Sequence, residues 1–304
     1  MNAIAPPLNP TNPAGIGGTP HEFVWNWKQQ AHTIVYETLG QGTPVLLLPA
    51  FSTVSTRSEM RGLAERLSAQ FQVWAMDWLG FGESDRPSID YRSAVYHQLL
   101  QDFVRSQFDA PVAVIAAGHA AGYVMQLASM QPAAWSKIVL VAPTWRGPLP
   151  TMGANQQVAG AVRETVRSPL LGQALYKLNT VPSFLNLMYR RHVYTNIEKL
   201  TPEFIQQKYQ ITQRPGARFA PASFVTGALD PAQNREEFLQ NFQSLSTPLM
   251  LVISEQAPPG SKAEMEAIAE QPNVQTQRLP GSLGLHEEYA AEVAAIALPF
   301  LVTN

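Results

Sequence analysis

The 304-residue chain contains no cysteine. That excludes disulfide cross-links, thiolate nucleophiles and every metal site built on sulfur. Charge is sparse and nearly balanced, with 21 Lys and Arg against 23 Asp and Glu, for a net charge of −2. A basic field broad enough to hold nucleic acid is absent, so no nucleic-acid partner is expected. No apolar run reaches the ~18–20 residues that a spanning helix needs, so no transmembrane segment is expected. The opening stretch, MNAIAPPLNPTNPAGIGGTP, lacks both a basic region and a continuous apolar region, unlike a secretory signal. Its Pro, Asn and Gly content predicts a flexible segment over residues 1–20, with the ordered core starting near His21. Cytoplasmic localisation is the expectation. The six histidines show no metal-ligand spacing, and GFGES lacks the Lys-Ser/Thr of a phosphate-binding loop. No cofactor is therefore expected.

What is present is apolar sequence, 45% of the chain, arranged in short runs. PVLLLPAF (44–51), FQVWAMDW (71–78), PVAVIAAG (111–118) and SKIVLVAP (136–143) read as strands buried on both faces. EFVWNWK (22–28) and HTIVYETLG (32–40) read as a hairpin ahead of them. Helical periodicity alternates with the strands at 57–70, 91–108 and 120–132. Between about 146 and 243 only helix-like stretches occur. Alternation then resumes with TPLMLVISE (247–255) and NVQTQRLPG (273–281). The expected architecture is an α/β fold with a mostly parallel sheet. Its core covers 21–145 and 244–304, and a helical insertion covers 146–243.

Four segments in order carry a family resemblance. They are PVLLLPAF, AMDWLGFGESD (75–85), GHAAG (118–122) and LPGSLGLHEEYAAEV (279–293). Together they resemble the α/β-hydrolase family: its oxyanion loop, its D-x-x-G-x-G-x-S turn, its G-x-S-x-G nucleophile elbow and its histidine loop with the final helix. The resemblance implies that fold, with the insertion as a cap over the site. It also implies a Ser-His-acid triad, and here the sequence departs from the pattern. Ala120 stands at the nucleophile position. Ala257 stands at the acid position, with Glu255 two residues early, and the alternative acid position in VAPTW has no carboxylate. Leu283 or Gly284 stands at the histidine position, depending on the end from which the loop is aligned. A triad acts as a unit, so loss at all three positions points away from hydrolysis.

His286 is the candidate for a displaced base, against the plainer reading of a helix-start residue beside Glu287 and Glu288. His119 is read as packing under the elbow and Asp77 as tying down its own turn. Ser52, Thr53 and Ser55 are ordinary hydroxyls without a positioned base. The cluster YRRH (189–192) suits an acidic ligand or a lipid headgroup if it is more than a solvated face. The backbone N–H groups of Phe51 and Ala121 are expected to converge beside Ala120, where they would bind a carbonyl oxygen. The leading expectation is a pseudo-hydrolase that binds a small apolar or carbonyl-containing ligand, or a protein partner through its cap. The alternatives are a rewired ester hydrolase or lyase using His286 with Glu255 or Glu287, and a scaffold.

Overall fold

The computed structural model describes residues 14–243 and 245–303. Eight strands form one sheet: β1 (Thr19–Trp27), β2 (Gln30–Leu39), β3 (Pro44–Leu48), β4 (Gln72–Met76), β5 (Val112–Ala117), β6 (Trp135–Val141), β7 (Leu249–Ser254) and β8 (Val274–Leu279). Their order is β1-β2-β4-β3-β5-β6-β7-β8. β1 and β4 each run antiparallel to β2, and every other neighbour is parallel. Every residue of β5 and β7 is buried. Side chains alternate between faces along a strand, so helices must cover the sheet on both sides. They include α1 (Arg61–Leu67), α2 (Ser93–Gln107) and α3 (Ala120–Met130).

Between β6 and β7 the described residues hold helices and no strand. These are α4 (Pro148–Thr151), α5 (Gln156–Arg167), α6 (Leu171–Leu178), α7 (Pro182–Met188), a π-helical turn (Tyr189–Val193), a 3-10 turn (Ile197–Lys199), α8 (Pro202–Thr212), α9 (Phe219–Val225) and α10 (Arg235–Gln243). The chain closes with α11 (Pro259–Ala269), α12 (Leu285–Glu288) and α13 (Ala290–Val302). None of these helices is long and apolar enough to cross a membrane.

The start of the chain corrects one expectation. Residues 1–13 lie outside the described region, but order begins well before His21. Ile16 is fully buried, and the N–H groups of Ile16, Gly17 and Gly18 all donate to the Glu37 carboxylate at 2.6, 3.1 and 3.3 Å. A buried carboxylate needs such donors, and this one recruits them from a glycine-rich stretch that reads as loop in isolation.

A buried ion cluster ties β2 to the loops after β3 and β4. The Arg57 side chain is 0% exposed and pairs with Glu37 at 2.8 Å, Glu83 at 2.6 Å and Asp77. Burial opposes its charge, but the Asp77 and Glu37 carboxylates outweigh that and hold the guanidinium above its ordinary range. Asp77 also accepts the N–H groups of Arg57 at 2.6 Å and Glu83 at 2.8 Å. Gly82 has φ +50°, and a Cβ there would lie 2.0 Å from the Asp77 carboxyl carbon. The DWLGFGES motif is thus a turn folded around one carboxylate.

Candidate functional site

In this topology the strand order reverses between β3 and β5. Ligands of open α/β sheets bind outside the carboxyl ends of the strands at such a point. The loop after β3 carries Phe51, and the turn after β5 carries residues 118–122.

The local geometry of that turn differs from the reading. Gly118, at φ +51°, is the left-handed residue between β5 and α3. Ala120 opens α3, and the residue before it, His119, is already right-handed helical. The chain therefore turns two residues earlier than the motif GHAAG suggests. Glycine suits that position because a left-handed backbone crowds a Cβ. A Cβ on Gly118 would lie 3.0 Å from the Ala50 methyl and 3.8 Å from Thr144 Oγ1.

The expected pair of oxyanion donors is altered as well. The Ala121 N–H donates to Gly118 O at 3.2 Å, an ordinary turn bond. Among the described residues, the N–H groups of Phe51 and His119 have no acceptor. The Phe51 ring is buried in an aromatic block, with centroids 4.9 Å from Trp78 and 4.9 Å from Tyr96. Ala120 and Ala121 are completely buried.

His119 is the titratable group at the turn. Its Nδ1 lies 3.1 Å from Thr144 Oγ1, and its Nε2 lies 3.2 Å from Asp230 Oδ1. Asp230 Oδ1 also accepts the Gly147 N–H at 2.8 Å. With Nε2–H donating to Asp230, Nδ1 accepts from the Thr144 hydroxyl. This arrangement links β5, β6 and the segment before α10. Asp230 is 111 residues from His119, and no local motif signals that partnership.

The remaining positions lie in two adjoining loops. Ala257 is buried, and its loop is fastened to the one after β8. Gln256 N–H and Ser254 Oγ–H both donate to Gly281 O, at 2.9 and 2.8 Å. Glu255 is exposed, with its N–H bonded to Leu279 O at 3.1 Å. Leu283 N–H donates to His192 O at 3.3 Å and Gly284 N–H to Val193 O at 2.9 Å, so the helical insertion is docked on this loop. A Cβ on Gly284 would lie 2.8 Å from Val193 O.

His286 is buried and pairs with Glu59, Nε2 to Oε2 at 3.3 Å, rather than with Glu255 or Glu287. Glu287 instead accepts from Lys208 of α8 at 2.8 Å, and Glu59 lies 3.6 Å from the same ammonium. Burial opposes the Lys208 charge, but Glu287 and Glu59 hold its pKa above the ordinary lysine range. Next to this group, Glu288 accepts the N–H groups of Thr195 and Asn196 at 3.0 and 2.6 Å. The residues around His286 thus clamp the insertion to the core.

Ser52 accepts the Val54 N–H at 3.1 Å, and Ser55 is buried without a partner in the described structure. Ser55 and Thr53 line a crevice with Phe81, Arg86 and Ile211 that is too narrow to admit a water molecule. Ligand pockets usually enclose ~300–1,000 Å³. In the YRRH cluster, Tyr189 is buried while Arg190 and Arg191 face solvent. No group of three or more His, Asp or Glu able to hold a metal occurs among the described residues.

An eight-stranded sheet of this order, with a turn of this kind after β5, defines the α/β-hydrolase class of fold. The chain belongs to the alpha/beta hydrolase family, whose sequence model matches residues 45–296. An uncharacterized protein of Mycobacterium tuberculosis is 29% identical over 107 residues, 35% of this chain and 31% of that protein. The match thus spans about a third of that relative's length. Two solved structures share the fold nearly end to end. A thermophilic esterase from Thermogutta terrifontis has a TM-score of 0.71 at 16% identity, covering 93% of this chain and 98% of its own. The haloalkane dehalogenase DatA from Agrobacterium tumefaciens has a TM-score of 0.70 at 16% identity, covering 94% and 97%.

Proposed function

We propose that this protein is a non-catalytic member of the alpha/beta hydrolase family, acting by recognition rather than turnover. One observation carries the reading. The vertex of the elbow, where the fold presents a nucleophile, is Gly118, and it has no side chain. Ala50 lies 3.0 Å from where a Cβ would stand. The acid and base positions support it. Ala257 is apolar, and the loop at Leu283 and Gly284 is held by backbone atoms of the insertion.

The insertion acts as a closed cap over this end of the sheet. What the site retains for recognition is the pair of N–H groups of Phe51 and His119, suited to a carbonyl oxygen once the cap lifts. The experiment is ester turnover by purified protein, short and medium chain, against a denatured control. Wild type and Gly118→Ser should both match the control, because a serine without a base stays protonated.

One observation favours a second reading, a rewired hydrolase. Thr144, His119 and Asp230 form a hydroxyl–imidazole–carboxylate string beside the turn. It differs from the His286 arrangement expected from sequence. Saturable turnover lost in both Thr144→Val and Asp230→Asn would establish this second reading and overturn the first.

A further inference from the structure

The helical insertion has an apolar face that no part of the described chain covers. Eleven large hydrophobic side chains are exposed among the described residues, and eight of them lie between Met152 and Ile197. They are ordered, not scattered. On α5, Val158, Ala161 and Val162 are exposed at helical spacing while Ala159 is buried. On α6, Leu171, Ala174 and Leu178 are exposed along one side while Gly172 and Tyr176 are buried. Between the two helices Leu170 is 88% exposed, and Leu171 and Leu178 are 58% and 67% exposed. Surface helices normally turn such a stripe toward the core. These two pack against each other and turn it outward.

Charge identifies what would cover the face. Residues 151–193 contain five Lys or Arg and one Glu, whereas the whole chain carries −2. The remainder is therefore negative, and positive charge is gathered on the segment with the apolar face. Arg167 pairs with Asp90 at 3.3 Å and Arg163 with Glu164 at 3.8 Å. Lys177, Arg190 and Arg191 are exposed and make no ion pair in the described structure. An exposed Leu/Val stripe, with unpaired Lys177 on one of its two helices and unpaired Arg190 and Arg191 exposed farther along the same insertion, has the chemistry of an interfacial segment on an anionic bilayer. A symmetric pairing with a second copy would set this positive segment against itself, which disfavours self-association.

We infer that the α5–α6 face of the insertion docks reversibly on anionic lipid membranes. Its leucines and valines enter the interface, and Lys177, Arg190 and Arg191 meet the headgroups. The inference is independent of whether the elbow is catalytic, since neither the face nor its cations belong to the turn after β5.

The test is flotation of the full-length protein with phosphatidylcholine vesicles, with and without phosphatidylglycerol. Binding is expected only with the anionic lipid, and it should weaken strongly as salt rises. Lys177→Glu/Arg190→Glu/Arg191→Glu should lower binding on the order of 100-fold, given the usual contribution of each basic residue near such a surface. Leu171→Asp/Leu178→Asp should abolish it. Because all five side chains are exposed, both variants should melt within a few degrees of wild type. Absence of flotation, equal binding to uncharged vesicles, or full binding by the leucine variant would overturn the inference. A concentration-dependent dimer lost in the leucine variant would assign the face to a second copy and overturn it too. Capture of a soluble protein partner without vesicle binding would do the same.

Discussion

Two turns at the carboxyl end of the sheet, after β4 and after β5, are built on opposite terms. The turn after β4 is crowded with charge: Asp77, Arg57, Glu37 and Glu83 form a connected cluster, and all but Glu83 are essentially fully buried. The turn after β5 has Ala116, Ala117, Gly118, Ala120 and Ala121, with His119 as its one titratable side chain. Charge at the first is spent on holding loops together. At the second, where hydrolases present chemistry, the side chains other than His119 are methyl groups or hydrogen. The polar architecture of the first turn and the small side chains of the second are thus supplied by different residues.

The largest effect should come from breaking the charged turn. Arg57→Met leaves the Glu37 and Asp77 carboxylates buried without their cation, a loss of about 3–5 kcal/mol. That is a large share of the ~5–15 kcal/mol that holds a domain folded. Thermal melting should show a steep drop or failure to fold, and a melting point near wild type would refute the role given to the cluster. Lys208→Met should cost less, about 2–3 kcal/mol, because Glu287 retains some solvent access. The loss should be local. Hydrogen exchange should quicken in α8 and in the His192–Thr195 contact while β3 and β5 stay protected. Uniform loss across the sheet would contradict the clamp.

A third effect follows from pH. Burial pushes the His97 imidazole down to about 4, partly offset by its contact with Pro231 O. The folded state thus favours the neutral ring, whereas the unfolded chain protonates near 6.5. Stability from this group is complete above pH 6.5 and falls as pH drops from 6.5 toward 4. Partial exposure limits the change to about 1–2 kcal/mol. His97→Gln should flatten the slope of stability against pH in that window, and an unchanged slope would assign it elsewhere. The smallest effect distinguishes the two positions in the elbow. Gly118→Ala, in a left-handed backbone, should cost about 1–2 kcal/mol, and Ala120→Ser only a few tenths. Denaturant unfolding giving the reverse order would place the vertex at Ala120.

The sheet was legible in the sequence because its strands are short unbroken apolar runs, such as VLLL and VAVIAA, separated by amphipathic stretches. The family was legible because four motifs stand in order. The elbow was read in the correct loop but two residues late, since the glycines at 118 and 122 imitate the spacing of the motif. A finer signal was available. Only one glycine lies between the buried run ending at Ala117 and the helix, and a sharp strand-to-helix turn needs its left-handed residue there. The partnerships of His119 with Asp230 and of His286 with Glu59 were not legible. They join residues 111 and 227 positions apart, and periodicity carries no information at that range. The early ordering of Ile16 failed to register for the same reason, because its partner Glu37 sits in a different element.

The central proposal is that no serine or threonine among the described residues is an activated nucleophile. The direct measurement is intact-mass spectrometry after incubation with a fluorophosphonate, which bonds covalently to activated serine and threonine hydroxyls. The expected result is an unmodified mass after prolonged exposure, for wild type and for Gly118→Ser. Stoichiometric modification of the wild-type protein, abolished by prior denaturation, would contradict the claim, and mapping to Thr144 would identify the rewired site as real.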